Sequence, residues 1–460
     1  VIPQDEYVIQ ALELATGKPV RPALAVGSEL LAAIERLYGA GKTVMGQIAD
    51  DIQSRTEVNE QEDIERLKDL ASEAPIVRLV NHLIQRAIEA RASDVHIEPF
   101  ENRLKVRYRI DGVLHEVEPP PVRSTAAVIS RIKIMAKLNI AERRLPQDGR
   151  IQLRVQGKEI DLRVSSVPTL YGESVVMRVL DKQSISFELG ALGFSGRVLA
   201  AFQQVLTLPH GILLVTGPTG SGKTSTLYAV LTRLNTSDRK VLTVEDPVEY
   251  QLEGINQIQV KPQIGLSFAN ALRSIVRQDP DVIMIGEIRD LETAEIAVQS
   301  ALTGHLVLST LHTNDAGSSV TRLLDMGVED YLLTSTVNAV LAQRLVRTLC
   351  VHCRKRQQAL PELVEEFRLR DYTSDDPICL YQPAGCRECS STGFRGRTAV
   401  LELLAMSDPI RRLVLKHADA GEIQEAAIAE GMRPMFQDGV GKALQGVTTL
   451  EEVLRVTNAS

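Results

Sequence analysis

The sequence predicts an α/β protein whose core is a parallel sheet, with a second α/β domain ahead of that core and a cysteine module behind it. Three observations carry this expectation. An apolar run, Ile212 to Val215, passes through a glycine-rich loop into a helical pattern ending near Leu231. Two further apolar runs, Val241 to Val244 and Val282 to Ile285, lead into carboxylates. Four of the five cysteines form two C-x2-C pairs.

Composition sets outer limits. The 460 residues are enough for about three domains. A hydrophobic content of 44% and a charged content of 24% are those of an ordinary globular chain. The net charge of −7 gives no global pull toward nucleic acid or anionic lipid, which disfavours a DNA motor. No apolar run is long enough to span a membrane. The first twenty residues lack the basic-then-apolar order of a secretory signal. Residue 1 is Val, which fits a trimmed chain or an alternative start codon. Paired cysteines suit metal in a reducing compartment better than a disulfide framework, so the expected location is cytoplasmic.

Residues 1–72 read as a small helical module. Ser28 to Leu37 puts Leu30, Leu31, Ile34 and Leu37 on one face, and Ile64 to Leu70 repeats the pattern more weakly. A polar stretch, Ser54 to Glu65, joins it to the rest, as in a docking unit. An α/β domain follows over 73–181. Ile76 to Ala90 has helical spacing, and Leu104 to Ile110, Asp111-Gly112 and Val113 to Val117 read as a hairpin. Further strands are expected at Ile151 to Val155, Ile160 to Val164 and Ser174 to Leu180. Arg150, Arg163 and Arg178 alternate with apolar residues there; spacing alone fits solvated strand faces or groups that complete a neighbouring site.

The core is expected over 198–345, after a linker at 182–197. Gly217-Pro218-Thr219-Gly220-Ser221-Gly222-Lys223-Thr224 fits G-x-x-x-x-G-K-[ST] without mismatch. Glycines let backbone N–H groups turn inward around phosphates, and the following helix points its positive end at them. Lys223 can reach the β- and γ-phosphates, and Thr224 can ligate Mg²⁺. Glu245, Asp246 and Glu249 close the next strand, where carboxyl ends face the ligand crevice, either holding Mg²⁺ and positioning water or simply solvated. Asp281 to Asp290 follows the Walker B logic with Gly286 in place of the usual Asp, leaving Glu287 to orient or deprotonate water. Arg273 and Arg277 lie i, i+4 on a helix expected from Phe268 to Gln278, which suits phosphate or a solvated face equally. His305 and His312 bracket a third buried strand, as phosphate sensors or as structural histidines.

Cys350, Cys353, Cys386 and Cys389 are spaced for a closed Zn²⁺ site within a module at 346–398, with redox-active CxxC as the rival. His352 lies inside the first knuckle and is not counted as a ligand, and Cys379 is left over. Residues 399–460 read as mostly helical.

Together these motifs resemble the secretion ATPase superfamily of type II secretion, type IV pili and related conjugation machines, most closely the bacterial type II secretion (GspE-type) ATPases. GPTGSGKT, VLTVEDPVEY, RQDPDVIMIGEIRD and TGHLVLSTLHTNDA match its four core motifs. RASDVHIEP, RLPQDGRI and DLRVSSVPTLYGES match its second N-terminal domain. The resemblance covers roughly residues 73–460. It implies a RecA-like P-loop NTPase core, ATP as substrate with Mg²⁺, and a tetracysteine Zn²⁺ module. It also implies a homo-hexameric ring with ATP between two domains of each protomer. By motif position Arg163, Arg178, Arg273, Arg277 and Arg289 approach the phosphates, with Arg397 a further candidate. The hinge would be Lys182 to Leu189. Such a protein-secreting ATPase would drive pseudopilus assembly from the cytoplasmic face of the inner membrane. It would meet the platform, and the anchor's cytoplasmic domain, through its N-terminal region. Membrane contact would be indirect, and no nucleic acid is expected. A pilus assembly ATPase is the alternative.

Overall fold

The computed structural model describes Glu13, Pro19 and residues 64–155, 157–181 and 187–457. The docking module expected at 1–72 lies outside these residues up to 63, and the linker and hinge do so up to 186. The described residues form two compact units, one holding 64–110 and Leu114–Val179, the other Asp111–Val113 and the described residues from Leu180. No helix among the described residues is long and apolar enough to cross a membrane.

The first unit begins with α1 (Ile64–Ser72) and α2 (Ala74–Glu89), then β1 (Ala92–Phe100), β2 (Arg103–Ile110) and β3 (Val113–Val117). Next come α3 (Thr125–Met135), β4 (Gln147–Val155), β5 (Lys158–Thr169) and β6 (Gly172–Asp181). The sheet order is β3-β2-β1-β6-β5-β4. Period-two alternation divides its faces. Val95, Ile97, Val106, Leu162 and Met177 bury against Leu79 and Leu83 of α2 and Val128 and Ile132 of α3. The other face carries Arg107, Arg109, Arg163 and Arg178. Asp111 and Gly112 both have positive φ, 48° and 88°, as the Asp-Gly hairpin turn requires. Helix α3 had no counterpart in the sequence reading.

The second unit opens with α4 (Gly196–Leu206), β7 (Gly211–Thr216), α5 (Lys223–Leu234), β8 (Val241–Glu245) and β9 (Asn256–Gln259). It continues through α6 (Phe268–Ile275), β10 (Val282–Ile285), α7 (Leu291–Leu302) and β11 (Leu306–Leu311). Then follow α8 (Gly317–Asp325), α9 (Asp330–Thr336) and β12 (Val337–Leu349). Its sheet order is β15-β12-β7-β11-β10-β8-β9, parallel from β12 to β9. Both faces are covered, as parallel sheets require. Ile212 and Leu214 pack beneath Ala294, Ala297 and Val298 of α7, while Leu213 and Val215 pack against Phe202 of α4 and Leu227 of α5.

The chain then forms β13 (Lys355–Gln358), α10 (Pro361–Glu366), β14 (Cys379–Gln382) and β15 (Phe394–Ala405). It ends in α11 (Asp408–Val414), α12 (Ala420–Ala429), α13 (Met435–Leu444) and α14 (Leu450–Thr457). Strand β15 extends through Ala399 to Ala405, into the start of the stretch read as mostly helical, because its long antiparallel ladder with β12 buries Ala399, Val400, Leu401 and Leu404; the four helices follow it.

Candidate functional site

The phosphate loop lies where β7 hands over to α5. Its glycines are there for two physical reasons. Gly217 has φ of 149°, and a Cβ on it would stand 2.5 Å from the Gln343 carbonyl oxygen. Gly222 has φ of 89° and caps α5 in the left-handed region. Lys223 is buried, and its Nζ donates to the carbonyls of Gly217 at 2.6 Å and Pro218 at 3.1 Å. Burial pulls its pKa down to about 8, Arg344 adds to the lowering and Glu287 opposes it. Thr224 is exposed at the helix start. The Ser221 hydroxyl is buried and has no hydrogen-bond partner among the described residues.

The carboxyl ends of the neighbouring strands bring the remaining groups together. Glu287 follows β10, forms an ion pair with Arg289, and lies 3.3 Å from Nε2 of His312, which follows β11. Asp246, exposed after β8, is within electrostatic reach of Arg289. The Thr216 hydroxyl, at the end of β7, meets that of Thr313 at 2.7 Å, tying the loop's entry to the segment after β11. Lys223, Glu287, Arg289, His312 and Asp246 therefore converge on one edge of the sheet, where a phosphate chain and an attacking water can be handled.

Several expected residues fall elsewhere. Glu245 is buried and faces inward: Tyr228 donates to its Oε2, while Thr243 and Gln257 donate to Oε1 at 2.6 and 3.0 Å. This corrects the expectation that its carboxylate opens toward Mg²⁺. Burial, with the Glu245 charge beside it, pushes the Tyr228 hydroxyl well above its ordinary range. His305 is likewise corrected. It precedes β11, and its carbonyl accepts from the first residue of β7, Gly211. That places it a strand's length, about 20 Å, from the loop that follows β7. Its Nδ1 bonds the Ser300 carbonyl at 2.8 Å. Arg273 and Arg277 line the same shallow cavity of about 620 Å³ as His305. Arg273 pairs with Glu292, and Arg277 sits on a 3₁₀ turn after α6 rather than on a continuous helix. Glu249 hydrogen-bonds the Tyr228 hydroxyl through its backbone N–H at 3.2 Å.

In the first unit, Arg178 bonds Asp94 at 2.9 Å, and Arg163 stands opposite Arg150 across the β4–β5 ladder. Arg397 is exposed on β15, opposite Arg347.

The sequence reading missed Gln343 and Arg344. Both are polar residues that interrupt the apolar stretch Ala339 to Val346 of β12, and that interruption was the available signal. Gln343 contacts the phosphate loop, and Arg344 bonds the Asn314 carbonyl at 2.9 Å.

The four knuckle cysteines form a closed cluster whose ligand atoms all lie within 4.8 Å of one another. Sγ separations are 3.8 Å for Cys350–Cys386, 3.8 Å for Cys353–Cys389 and 3.7 Å for Cys386–Cys389. Tetrahedral zinc with bonds of about 2.3 Å sets its sulfurs about 3.8 Å apart, so the residues fit that ion. Burial raises the Cys389 thiol, but N–H groups of Cys386 and Gly393 and the thiols of Cys386 and Cys353 outweigh it and bring it down to about 6, while burial and the hydrogen bond to Cys389 push the Cys353 thiol up to about 11. Cys379 lies apart on β14, its Sγ 3.5 Å from the Pro377 carbonyl.

Residues 69–455 match the family described as Type II/IV secretion system protein. Type II secretion system protein E of Xanthomonas campestris is 64% identical over 455 residues, 99% of this chain and 80% of that protein. The type IV pilus assembly ATPase PilB of Myxococcus xanthus is 48% identical over 461 residues, 98% of this chain and 80% of that protein. Among solved structures, the pilus retraction motor PilT with bound ADP superposes with a TM-score of 0.54 at 26% identity, covering 82% of this chain and 96% of PilT.

Proposed function

The chain belongs to the Type II/IV secretion system protein family, and on that premise we propose that it is the ATPase motor of a bacterial type II secretion system. The observation that carries the reading is the convergence of Lys223 and Glu287 at the carboxyl ends of β7 and β10. On this reading, Lys223 exchanges the Gly217 and Pro218 carbonyls for phosphate oxygens when ATP enters. Glu287 orients the attacking water and takes up its proton, while Arg289 and His312 fix the carboxylate from either side. Bound Mg²⁺, held by Thr224 and Asp246, would neutralise charge on the phosphates. The thiolate quartet would hold zinc as a structural ion with no step in hydrolysis. Arg163, Arg178, Arg273 and Arg277 are assigned to phosphate charge by motif position alone. Assembly as a homo-hexamer on the cytoplasmic face of the inner membrane, docked through the N-terminal region, completes the proposal.

The identity with PilB across 98% of the chain favours pilus assembly as the second reading. A pull-down from host membranes with Glu287→Gln protein held in ATP separates the two. Recovery of a type II secretion platform supports the first, recovery of a pilus platform moves the chain to the second, and a chain that turns over no ATP sinks both.

A further inference from the structure

Gln343 is almost fully buried on β12, and its side chain has two partners. Its Nε2 donates to the carbonyl of Ser221, in the phosphate loop, at 2.6 Å. Its Oε1 accepts from the hydroxyl of Thr226, in the first turn of α5, at 2.8 Å. Both the backbone and the side chain approach closely: a Cβ on Gly217 would meet the Gln343 carbonyl oxygen, and one on Gly222 would come within 3.0 Å of Nε2. Gln343 thus touches both ends of the loop and the helix that follows it.

We infer that Gln343 is a positioning residue for the phosphate loop, setting the Ser221–Gly222 peptide so that the Gly222 N–H faces the bound phosphates. In a trans peptide the carbonyl and the next N–H point in opposite directions. A carbonyl held toward β12 aims the Gly222 N–H away from β12, into the space the loop encircles. Released from Nε2, this peptide can rotate, because Gly222 tolerates either sign of φ. The loop would then lose one of the few donors that a phosphate meets there. The bond to Thr226 fixes which way the amide faces, since only one orientation puts Nε2 on Ser221 and Oε1 on Thr226. Sequence pattern could not reveal the contact, because Gln343 lies 122 residues from Ser221 along the chain.

This inference rests on the nucleotide-binding reading of the loop, and the test separates the two. Nucleotide binding is titrated with a fluorescent ATP analogue and with ADP, and KM and kcat are measured for the full chain. Gln343→Glu keeps an acceptor for Thr226 but sets a carboxylate against the Ser221 carbonyl. Gln343→Met removes both bonds at similar volume. Each is expected to weaken ATP and ADP binding and to raise KM about tenfold, the scale of one lost hydrogen bond, with kcat at saturation changed far less. Thr226→Val, which leaves the Ser221 bond in place, should raise KM only about two- to threefold. Should Gln343→Met fail to fold, Gln343→Glu against Thr226→Val still decides. Parental KM in Gln343→Glu, or a loss confined to kcat, overturns the inference. A parent chain that binds no ATP, with Lys223→Ala indistinguishable from it, overturns the underlying reading instead.

Discussion

Glu287 is held by a cation on one side and an imidazole on the other, at the end of a strand that cannot shift without breaking the sheet. An amide in its place keeps the volume and can still hydrogen-bond, but it cannot accept a proton. Glu287→Gln is therefore expected to bind ATP like the parent while losing about 10²- to 10⁴-fold in kcat. Single-turnover hydrolysis checks this, and parental turnover would remove Glu287 from the role. Glu452 offers a residue-scale test of stability. It is nearly inaccessible, and both oxygens accept from Arg455 and Arg347 at 2.7–3.0 Å. Burial pushes its pKa up, but these hydrogen bonds outweigh burial and bring it from 4.5 to about 2. A depressed carboxylate contributes stability that is complete above pH 4.5 and lost as pH falls toward 2. Over that interval the contribution amounts to about 3 kcal/mol. Unfolding midpoints of the parent and Glu452→Gln, compared from pH 7 to pH 2.5, should differ most at neutrality and converge in acid. Comparing the two cancels the acid loss of thiolate ligands, which both share.

At the scale of elements, the ladder between β12 and β15 joins the two ends of the second unit. Its register runs from Ala339 opposite Ala405 to Leu349 opposite Phe394. The first knuckle cysteine follows β12 at once, and β15 begins five residues after Cys389. Between the knuckles the polypeptide has only a small core around Leu369 and Ile378, shared with Val440 and Leu450 of the C-terminal helices. A core that small needs a cross-link to hold its hairpin. The protein is expected to carry one zinc per chain by elemental analysis, and Cys353→Ser with Cys389→Ser to lose it. Protease should then cut within 354–385 while the phosphate loop stays intact. A metal-free chain that resists protease there would contradict a structural ion. These elements also show what a sequence displays of itself. The strand–loop–helix at Gly211 to Leu231 was legible because every residue of the motif is local. The tetracysteine site was legible because spacing alone brings each pair together. The inward turn of Glu245 depends on Thr243 of its own strand, Gln257 of the neighbouring β9 and Tyr228 of α5, and only the first of these is local. Strand β15 escaped notice because its burial comes from β12, more than fifty residues earlier.

The whole molecule poses a different question, since a site can be complete only where its parts are brought together. Within the second unit, Lys223, Glu287, Arg289 and His312 meet, while Arg277 and His305 lie at the opposite edge of the sheet. Groups at that edge cannot serve the phosphate loop of their own chain, because the strands between them do not bend. If they act on nucleotide at all, they act on that of another copy. A monomer would then hydrolyse ATP with fewer cations at the phosphates than an assembled ring supplies. Specific activity per chain is accordingly expected to rise with protein concentration and to level off where sedimentation shows assembly complete. Arg277→Ala should lower the plateau if the edge serves a neighbour's nucleotide. Equal numbers of Arg277→Ala and Glu287→Gln chains distinguish that case. A ring that shares sites should recover part of the activity through interfaces where an intact Glu287 meets an intact Arg277. Activity independent of concentration, with Arg277→Ala at the parental plateau, would leave the cluster at the amino edge with no part in turnover.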